Sequence, residues 1–176
     1  MFLSFKLLVG LLGVFLLMLL SPTEGQLDLS NIGVLQIAGN KQYFVEKAVR
    51  VNWHRALQTC AKMNMSLASI ESATEQTNLK TLLYSNSALE KQYWLSGNDL
   101  SASRNFVWFG NGKTFSYSSW ASGPGTSSSQ RCVSTNAAFN WRRDSCSNLH
   151  YFICEKLVEP PCSFEGECLQ KPTIIF

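Results

Sequence analysis

The sequence lacks the residue patterns that catalytic and zinc sites require. Its 176 residues include two histidines, and neither a Cys-x-x-Cys nor a His-x-x-x-His spacing occurs, so no zinc site is predicted. There is no paired acid and base, no Ser/His/Asp arrangement and no phosphate-binding loop, which argues against an enzyme. We expect His150 to be a solvated residue in a short turn before the last strand.

Charged residues are also few, and the basic ones do not cluster. Lysine and arginine number 15 against 12 acidic residues, for a formal net charge of +3. Apart from Arg142-Arg143 the basic residues are scattered, whereas a nucleic-acid-binding domain concentrates them on one face. Nucleic acid is therefore not expected as a partner.

Long apolar runs are absent after residue 20, so no later segment is expected to span a membrane. At the start of the chain, Lys6 is followed by an apolar run over residues 7–20 and then by small and polar residues. This pattern predicts a secretory signal peptide over residues 1–25, cleaved near Gln26. A membrane anchor is the alternative, but crossing the hydrocarbon core requires about 20 apolar residues. We therefore predict a secreted, extracellular protein.

Export also gives the six cysteines a role. In an oxidising compartment an even number of cysteines indicates disulfide bonds. Six cysteines allow many pairings, and their positions alone do not select one of them.

Two helices are predicted by their caps and their apolar spacing. Asn52 is placed to cap a helix whose apolar residues recur on one face, and Asn64 can end that helix. The capping-box pattern of residues 72–75 starts a second helix. Its apolar stripe follows at Leu79, Leu82 and Leu83.

Strands are predicted from short apolar or alternating runs. They cover residues 41–50, 93–97, 131–135, 139–142 and 151–155. Between the second and third of these the chain is rich in Gly, Ser and Asn, and residues 123–129 supply no packed face. We therefore expect a surface loop there. Residues 26–40 form a lead-in without clear periodicity.

A set of residues in a fixed order carries a family resemblance. It comprises Trp53-His54, Cys60, residues 67–70, residues 94–97, Trp120, Cys132, Trp141, Cys146 and residues 152–155. The stretch from Tyr43 to Glu155 resembles the C-type lectin domain, in particular its small, secreted, insect-like members. The resemblance implies an α+β fold with two antiparallel sheet regions, two flanking helices and a long loop region. The domain is expected over residues 41–156, followed by a tail over residues 157–176.

The resemblance also implies two disulfide bonds, Cys60–Cys154 and Cys132–Cys146. Closing a loop of about 95 residues contributes roughly 4–5 kcal/mol by chain entropy, and a loop of about 15 residues roughly 3 kcal/mol. For Cys162 and Cys168 in the tail, closeness in sequence favours an intrachain bridge. A link to another chain is the alternative.

The positions that bind calcium in relatives hold unsuitable residues in this sequence. The resemblance places Gly123, Gly125, Gln130, Arg142 and Arg143 where calcium-using members carry oxygen ligands. Calcium requires six to eight oxygens, and arginine keeps its positive charge. The calcium site is therefore predicted to be lost, and no metal or other cofactor is expected.

Two acidic residues lie close to ligand positions of the family without completing a site. Asp144 stands one residue beyond the expected place. Asp99 matches one ligand of the family's accessory calcium site, but Ser103 stands near the place of the companion acid. One carboxylate in each place does not make a calcium site.

The resemblance predicts a recognition function at the same surface. In the first hypothesis, Gln130, Arg142 and Arg143 bind the hydroxyl, sulfate or carboxylate groups of a glycan or glycoprotein directly, beside Pro124 and Asp144, and aromatic faces stack on the sugar ring. In the second, the surface binds a protein partner without calcium. Because neighbouring residues of a strand point to opposite faces, we expect at most one of the two arginines to enter the old metal position. The other is expected to lie at the surface beside Asp144 and to form an exposed ion pair with it, which would contribute only about 0–1 kcal/mol.

One modification site is predicted as well. Asn64-Met65-Ser66 is a glycosylation sequon, so Asn64 is a candidate for glycan attachment in a secreted chain.

Overall fold

The computed structural model of the protein describes residues 33–123 and 125–158. The predicted signal peptide, Pro124 and the predicted Cys162–Cys168 loop lie outside the described residues. The elements are β1 (Val34–Ala38), β2 (Lys41–Val51), α1 (Trp53–Lys62), β3 (Ser66–Leu67), α2 (Ala73–Ser85), β4 (Tyr93–Asn98), β5 (Val107–Trp108), β6 (Gln130–Thr135), β7 (Trp141–Ser145) and β8 (His150–Leu157).

Both helices begin at the predicted caps. The side chain of Asn52 accepts a hydrogen bond from the backbone N–H of Arg55 at 2.9 Å, and the hydroxyl of Ser72 accepts one from the N–H of Glu75 at 3.2 Å. Each cap satisfies a backbone donor that the first turn of a helix leaves free. After α1, Asn64 adopts a left-handed conformation with φ of 54°, which asparagine tolerates better than most residues.

The strands run in the order β1-β2-β8-β4-β6-β7, with β3 paired to β8 and β5 paired to β4. The pairs on either side of the β8–β4 contact are antiparallel, and β8 and β4 themselves pair in parallel. The two antiparallel regions that were predicted are thus joined along this one parallel contact. The α+β fold with two helices and two disulfide bonds is confirmed.

Two details differ from the sequence prediction. The segment assigned as a lead-in contains β1, which pairs with β2 in antiparallel register. Phe139, which was predicted to start a strand, lies in the turn before β7 with φ of 64° and is fully buried. Its ring is needed in the core although its backbone is turning, so apolar character alone misassigned it.

The aromatic core contains four buried tryptophans, and the indole N–H groups of three of them donate hydrogen bonds within the described residues. The indole N–H of Trp53 donates to the carbonyl of Leu95 at 2.9 Å, and that of Trp141 donates to the side chain of Gln76 at 3.0 Å. Burying an indole without such an acceptor would cost free energy. These bonds tie α1 to β4 and α2 to β7, so they orient the elements as well as filling the core.

The two described disulfide bonds are those that the resemblance implied. Cys60 joins α1 to β8 through Cys154, and Cys132 joins β6 to the residue after β7 through Cys146. The Cα atoms are 5.4 and 5.2 Å apart, within the usual range for a disulfide. The second bridge holds the two strands that follow the long loop.

A buried ionic cluster connects β2, α2 and β8. The ammonium of Lys41 lies 2.9 Å from the carboxylate of Glu75 and 3.1 Å from that of Glu155. Burial raises the pKa of Glu155 to about 7, against the attraction of Lys41. None of the helices in the described part of the chain is long and apolar enough to cross a membrane.

Candidate functional site

The long loop before β6 is organised by glycines and by Gln130. Gly123 and Gly125 have φ values of 64° and 98°, which glycine adopts without steric cost. A Cβ atom at position 125 would lie 2.6 Å from Oε1 of Gln130. That oxygen accepts a hydrogen bond from the N–H of Ser127 at 3.2 Å. Gln130, a predicted ligand contact, therefore closes the loop internally.

The two adjacent arginines of β7 have different environments. Trp141 is fully buried, Arg142 is exposed, and the side chain of Arg143 is 10% exposed. This alternation follows from the opposite orientation of neighbouring residues in a strand. Within the described residues, the side chain of Arg142 makes no hydrogen bond or ion pair. Arg142 is thus available at the surface, and Arg143 is held inside.

Asp99 holds Arg143 in place. The carboxylate of Asp99 is fully buried and lies 2.9 Å from Nε of Arg131 and 3.3 Å from a terminal nitrogen of Arg143. It also accepts a hydrogen bond from the backbone N–H of Arg104 at 2.8 Å. Arg131 bonds the backbone carbonyl of Asp99, and Arg143 donates to that of Gln130 at 3.2 Å. A buried carboxylate requires such compensation, because leaving water costs it several kcal/mol.

These donors do not fit calcium in either of the family's positions. Gly123 and Gly125 offer no side-chain oxygen, and the side-chain oxygen of Gln130 is bonded to Ser127. At the accessory position, both oxygens of Asp99 are engaged by Arg131, Arg143 and the Arg104 N–H. Two guanidinium groups beside a single carboxylate repel a divalent cation. The chemistry of the residues present therefore disagrees with a calcium site.

Asp144 pairs with His150 and with neither arginine. Its carboxylate lies 2.7 Å from Nε2 of His150, and it accepts hydrogen bonds from the Ser145 N–H at 2.8 Å and from the Asn148 side chain at 2.6 Å. Burial opposes its ionisation, but the hydrogen bond and charge of His150 and these donors lower the pKa of Asp144 below its usual range. Among the described residues, Arg142 and Arg143 form no ion pair with Asp144, so the expected contact was wrong.

The prediction that His150 is simply solvated was also wrong. Its side chain is 12% exposed, and its ring centroid lies 4.6 Å from that of Trp94 in an edge-to-face arrangement. The turn before β8 folds back onto β4, and no local sequence pattern reports that contact.

An aromatic cleft lies beside this region and was not predicted. It has a volume of about 300 Å³ and lies between residues 104–106 and residues 114–120. The half-buried rings of Phe106, Phe115, Tyr117 and Trp120 line it together with serine and threonine hydroxyls. In the sequence these rings belong to two clusters of aromatic residues, over residues 106–109 and 115–120. In the second cluster, serines lie between the aromatic residues over 115–120. This was the one sequence signal that could have indicated a partly open surface instead of a buried strand.

Asn64 is exposed at the end of α1. The side chain of Asn64 is therefore open to solvent, as glycan attachment would require. Pro124 lies outside the described residues.

Comparison with known proteins agrees with this architecture. The sequence profile of the family described as "Lectin C-type domain" matches residues 49–156. Lectin subunit alpha of Sarcophaga peregrina is 30% identical over 125 residues, which cover 65% of this chain and 44% of that protein. C-type lectin mosGCTL-7 of Aedes aegypti is 25% identical over 133 residues, which cover 68% of this chain and 86% of that protein.

Solved structures show the same fold. The structure titled "Ca2+-dependent type II antifreeze protein (Ca2+-free form)" aligns with a TM-score of 0.62 and 26% identity, over 69% of this chain and 96% of that one. The chain thus covers less than half of the Sarcophaga protein and most of the other two relatives.

Proposed function

Because this chain belongs to the C-type lectin domain family, we propose that it is a secreted recognition domain that binds carbohydrate without calcium. Binding takes place at the long-loop face, which we define as the exposed surface of residues 99–123 and 125–145. Domains of this family are in general recognition modules rather than enzymes, and they bind glycans. Secretion is supported by the signal-peptide pattern of residues 1–25.

The buried Asp99 between Arg131 and Arg143 is the observation that carries the proposal. A fixed positive charge compensates this carboxylate from within the protein. The loop is therefore organised by side chains of the chain itself, and the site has no need of a metal ion to hold its shape.

The charge of the long-loop face favours an acidic ligand. Residues 99–145 carry five basic side chains and two acidic ones. Arg131 and Arg143 are paired with Asp99, and Lys113 is paired with Glu71. Arg104 and Arg142 are the exposed basic side chains of this range that have no ion pair among the described residues. Both acids are engaged inside the fold. A planar guanidinium binds carboxylate and sulfate groups through paired hydrogen bonds. Arg142 is therefore assigned to ligand contact, whereas Arg143, Gln130 and Asp144 support the long-loop face from inside the domain.

A glycan array tests this proposal. The mature protein, residues 26–176, is applied with and without EDTA, together with the variants Arg142→Gln and Arg55→Gln. We expect binding to acidic or sulfated glycans that EDTA leaves unchanged and that Arg142→Gln weakens. Arg55 is an exposed arginine on α1, so its replacement is the matched control for loss of one charge.

Two outcomes would contradict the proposal. Binding to neutral sugars that EDTA abolishes would mean that a calcium site operates in spite of the donors described above. The absence of binding to any glycan would favour the second function, in which the long-loop face binds a protein partner. An affinity screen with extracellular proteins would then be the next measurement.

A further inference from the structure

The residues that line the aromatic cleft are separate from those at the predicted calcium positions. Its volume of about 300 Å³ is at the lower end of the range for small-ligand sites. The cleft is open to solvent, and Thr114, Ser116 and Ser118 place hydroxyl groups around the half-buried rings. A purely apolar ligand would leave these hydroxyls without partners, so the lining suits a ligand with both polar and apolar faces.

The walls of the cleft are held in place by the core. The Phe115 ring is stacked on that of Trp108 at 4.1 Å between centroids, and the Trp120 ring lies edge-to-face against that of Trp141 at 5.8 Å. The backbone of Trp141 donates to the carbonyl of Ser119 at 2.7 Å and accepts from the N–H of Ala121 at 2.9 Å. A ligand therefore meets rings that are already ordered, which lowers the entropic cost of binding.

Positive charge lies at two places around the cleft. Arg104 lines it, is exposed, and makes no side-chain hydrogen bond or ion pair within the part of the chain that the structure describes. Its backbone has φ of 63° and is held by the bond from its N–H to Asp99. The guanidinium carbon of Arg143 lies 5.4 Å from the centroid of the Phe106 ring. The network around Asp99 thus positions both arginines beside the aromatic rings.

From these observations we infer that the aromatic cleft binds one saccharide ring that carries a carboxylate or sulfate group. The C–H face of the sugar packs against the aromatic side chains, chiefly Tyr117 and Trp120. Its hydroxyls bond Ser116 and Ser118, and Arg104 binds the anionic group. This inference rests on the proposed carbohydrate recognition and assigns it to residues outside the predicted ligand set.

Titration with three defined probes tests the inference. The probes are a hyaluronan tetrasaccharide, which has carboxylates alone, a heparin-derived tetrasaccharide, which also has sulfates, and a neutral tetrasaccharide. Affinity is measured by calorimetry, and the indole N–H signal of Trp120 is followed by NMR. We expect one or both acidic probes to bind and to shift that signal, and the neutral probe to bind far more weakly. The stronger acidic probe identifies the anionic group.

Variants separate the cleft from the rest of the long-loop face. We expect Arg104→Gln to weaken binding about tenfold or more, as loss of a charge-assisted hydrogen bond does, and Arg55→Gln to leave it unchanged. Tyr117→Leu keeps apolar volume but removes the ring, and should also weaken binding. Melting temperatures verify that each variant is folded.

The result that overturns the inference differs from the one that overturns the proposed function. If Arg142→Gln weakens glycan binding while Arg104→Gln and Tyr117→Leu do not, carbohydrate recognition stands and the cleft is not its site. If neither acidic probe shifts the Trp120 signal at millimolar concentration, the cleft inference is wrong whatever the glycan array shows.

Discussion

The carboxylate of Asp99 and the guanidinium of Arg143 meet across 44 residues of sequence, 3.3 Å apart, at a place where the carboxylate is fully buried. Together with Arg131, this contact connects the residue after β4 to β6 and β7. The buried carboxylate of Asp99 therefore holds the long loop in place from inside the domain.

Removal of the Asp99 charge should destabilise the domain strongly. Asp99→Asn leaves Arg131 and Arg143 with an uncompensated charge in a buried position, and such a loss costs about 3–5 kcal/mol. Urea unfolding followed by tryptophan fluorescence measures the change. Glu90→Gln, at an exposed position, is the matched control. A cost no larger than that of the control would mean that the ion pairs are not what orders the loop.

Calcium should neither bind nor stabilise the protein. We expect no binding heat and no rise in melting temperature at millimolar calcium, because the described residues offer no sufficient set of oxygen donors. A rise of several degrees would show that a site forms in another register. The double change Arg142→Asn with Arg143→Asp should not create a site either, because Gly123 and Gly125 still lack side-chain oxygens. That variant should be less stable, since it places a second carboxylate near Asp99.

The contact between Asp144 and His150 should control stability in acid. The lowered pKa of Asp144 contributes stability that is present above the pKa of the unfolded chain and is lost as the pH falls through the folded value. His150→Gln removes the main cause of that shift, so acid unfolding should begin at higher pH. The fluorescence of Trp94, beside His150, reports the transition. His54→Gln on the exposed face of α1 should leave the midpoint unchanged, and an equal effect of both variants would contradict this account.

Glu155 should have the opposite effect on stability, because its ionisation at higher pH should destabilise the folded protein. Its pKa is raised from the ordinary 4.5 to about 7, so between these values the native state holds a proton that the unfolded chain has released. Stability should therefore fall as the pH rises from about 4.5 to about 7. Glu155→Gln cannot release a proton and should flatten this part of the profile, by roughly 1–3 kcal/mol. Chemical denaturation at a series of pH values measures it, and an unchanged slope would contradict the raised pKa.

The tail should contain a third disulfide bond. Peptide mapping without reduction is expected to recover Cys162–Cys168 alongside Cys60–Cys154 and Cys132–Cys146. A free Cys162, or a dimer that reduction separates, would show that the tail links to another chain. Neither outcome would affect the two bridges within the domain.

Local features of the sequence were sufficient for the helices and most strands, whereas the two domain disulfides were implied by the family resemblance. Asn52 and Ser72 cap their helices through contacts with residues three positions away, so a short window of sequence contains the whole interaction. The order of tryptophans and cysteines carried the fold, because each landmark fills a place that the fold needs. The resemblance placed Gly123 and Gly125 at calcium-ligand positions, and their residue type then showed that they lack a side-chain oxygen.

What the tertiary structure decided is which charged groups face each other and which face water. Arg142 and Arg143 are identical in type and adjacent in sequence, but the pleat of β7 exposes the first and directs the second toward Asp99. The carboxylate of Asp144 pairs with His150. The aromatic rings of residues 106–120 line an open cleft instead of a closed core. These outcomes depend on contacts between residues far apart in the chain, and the electrostatic energy of each contact depends on burial that only the folded protein defines.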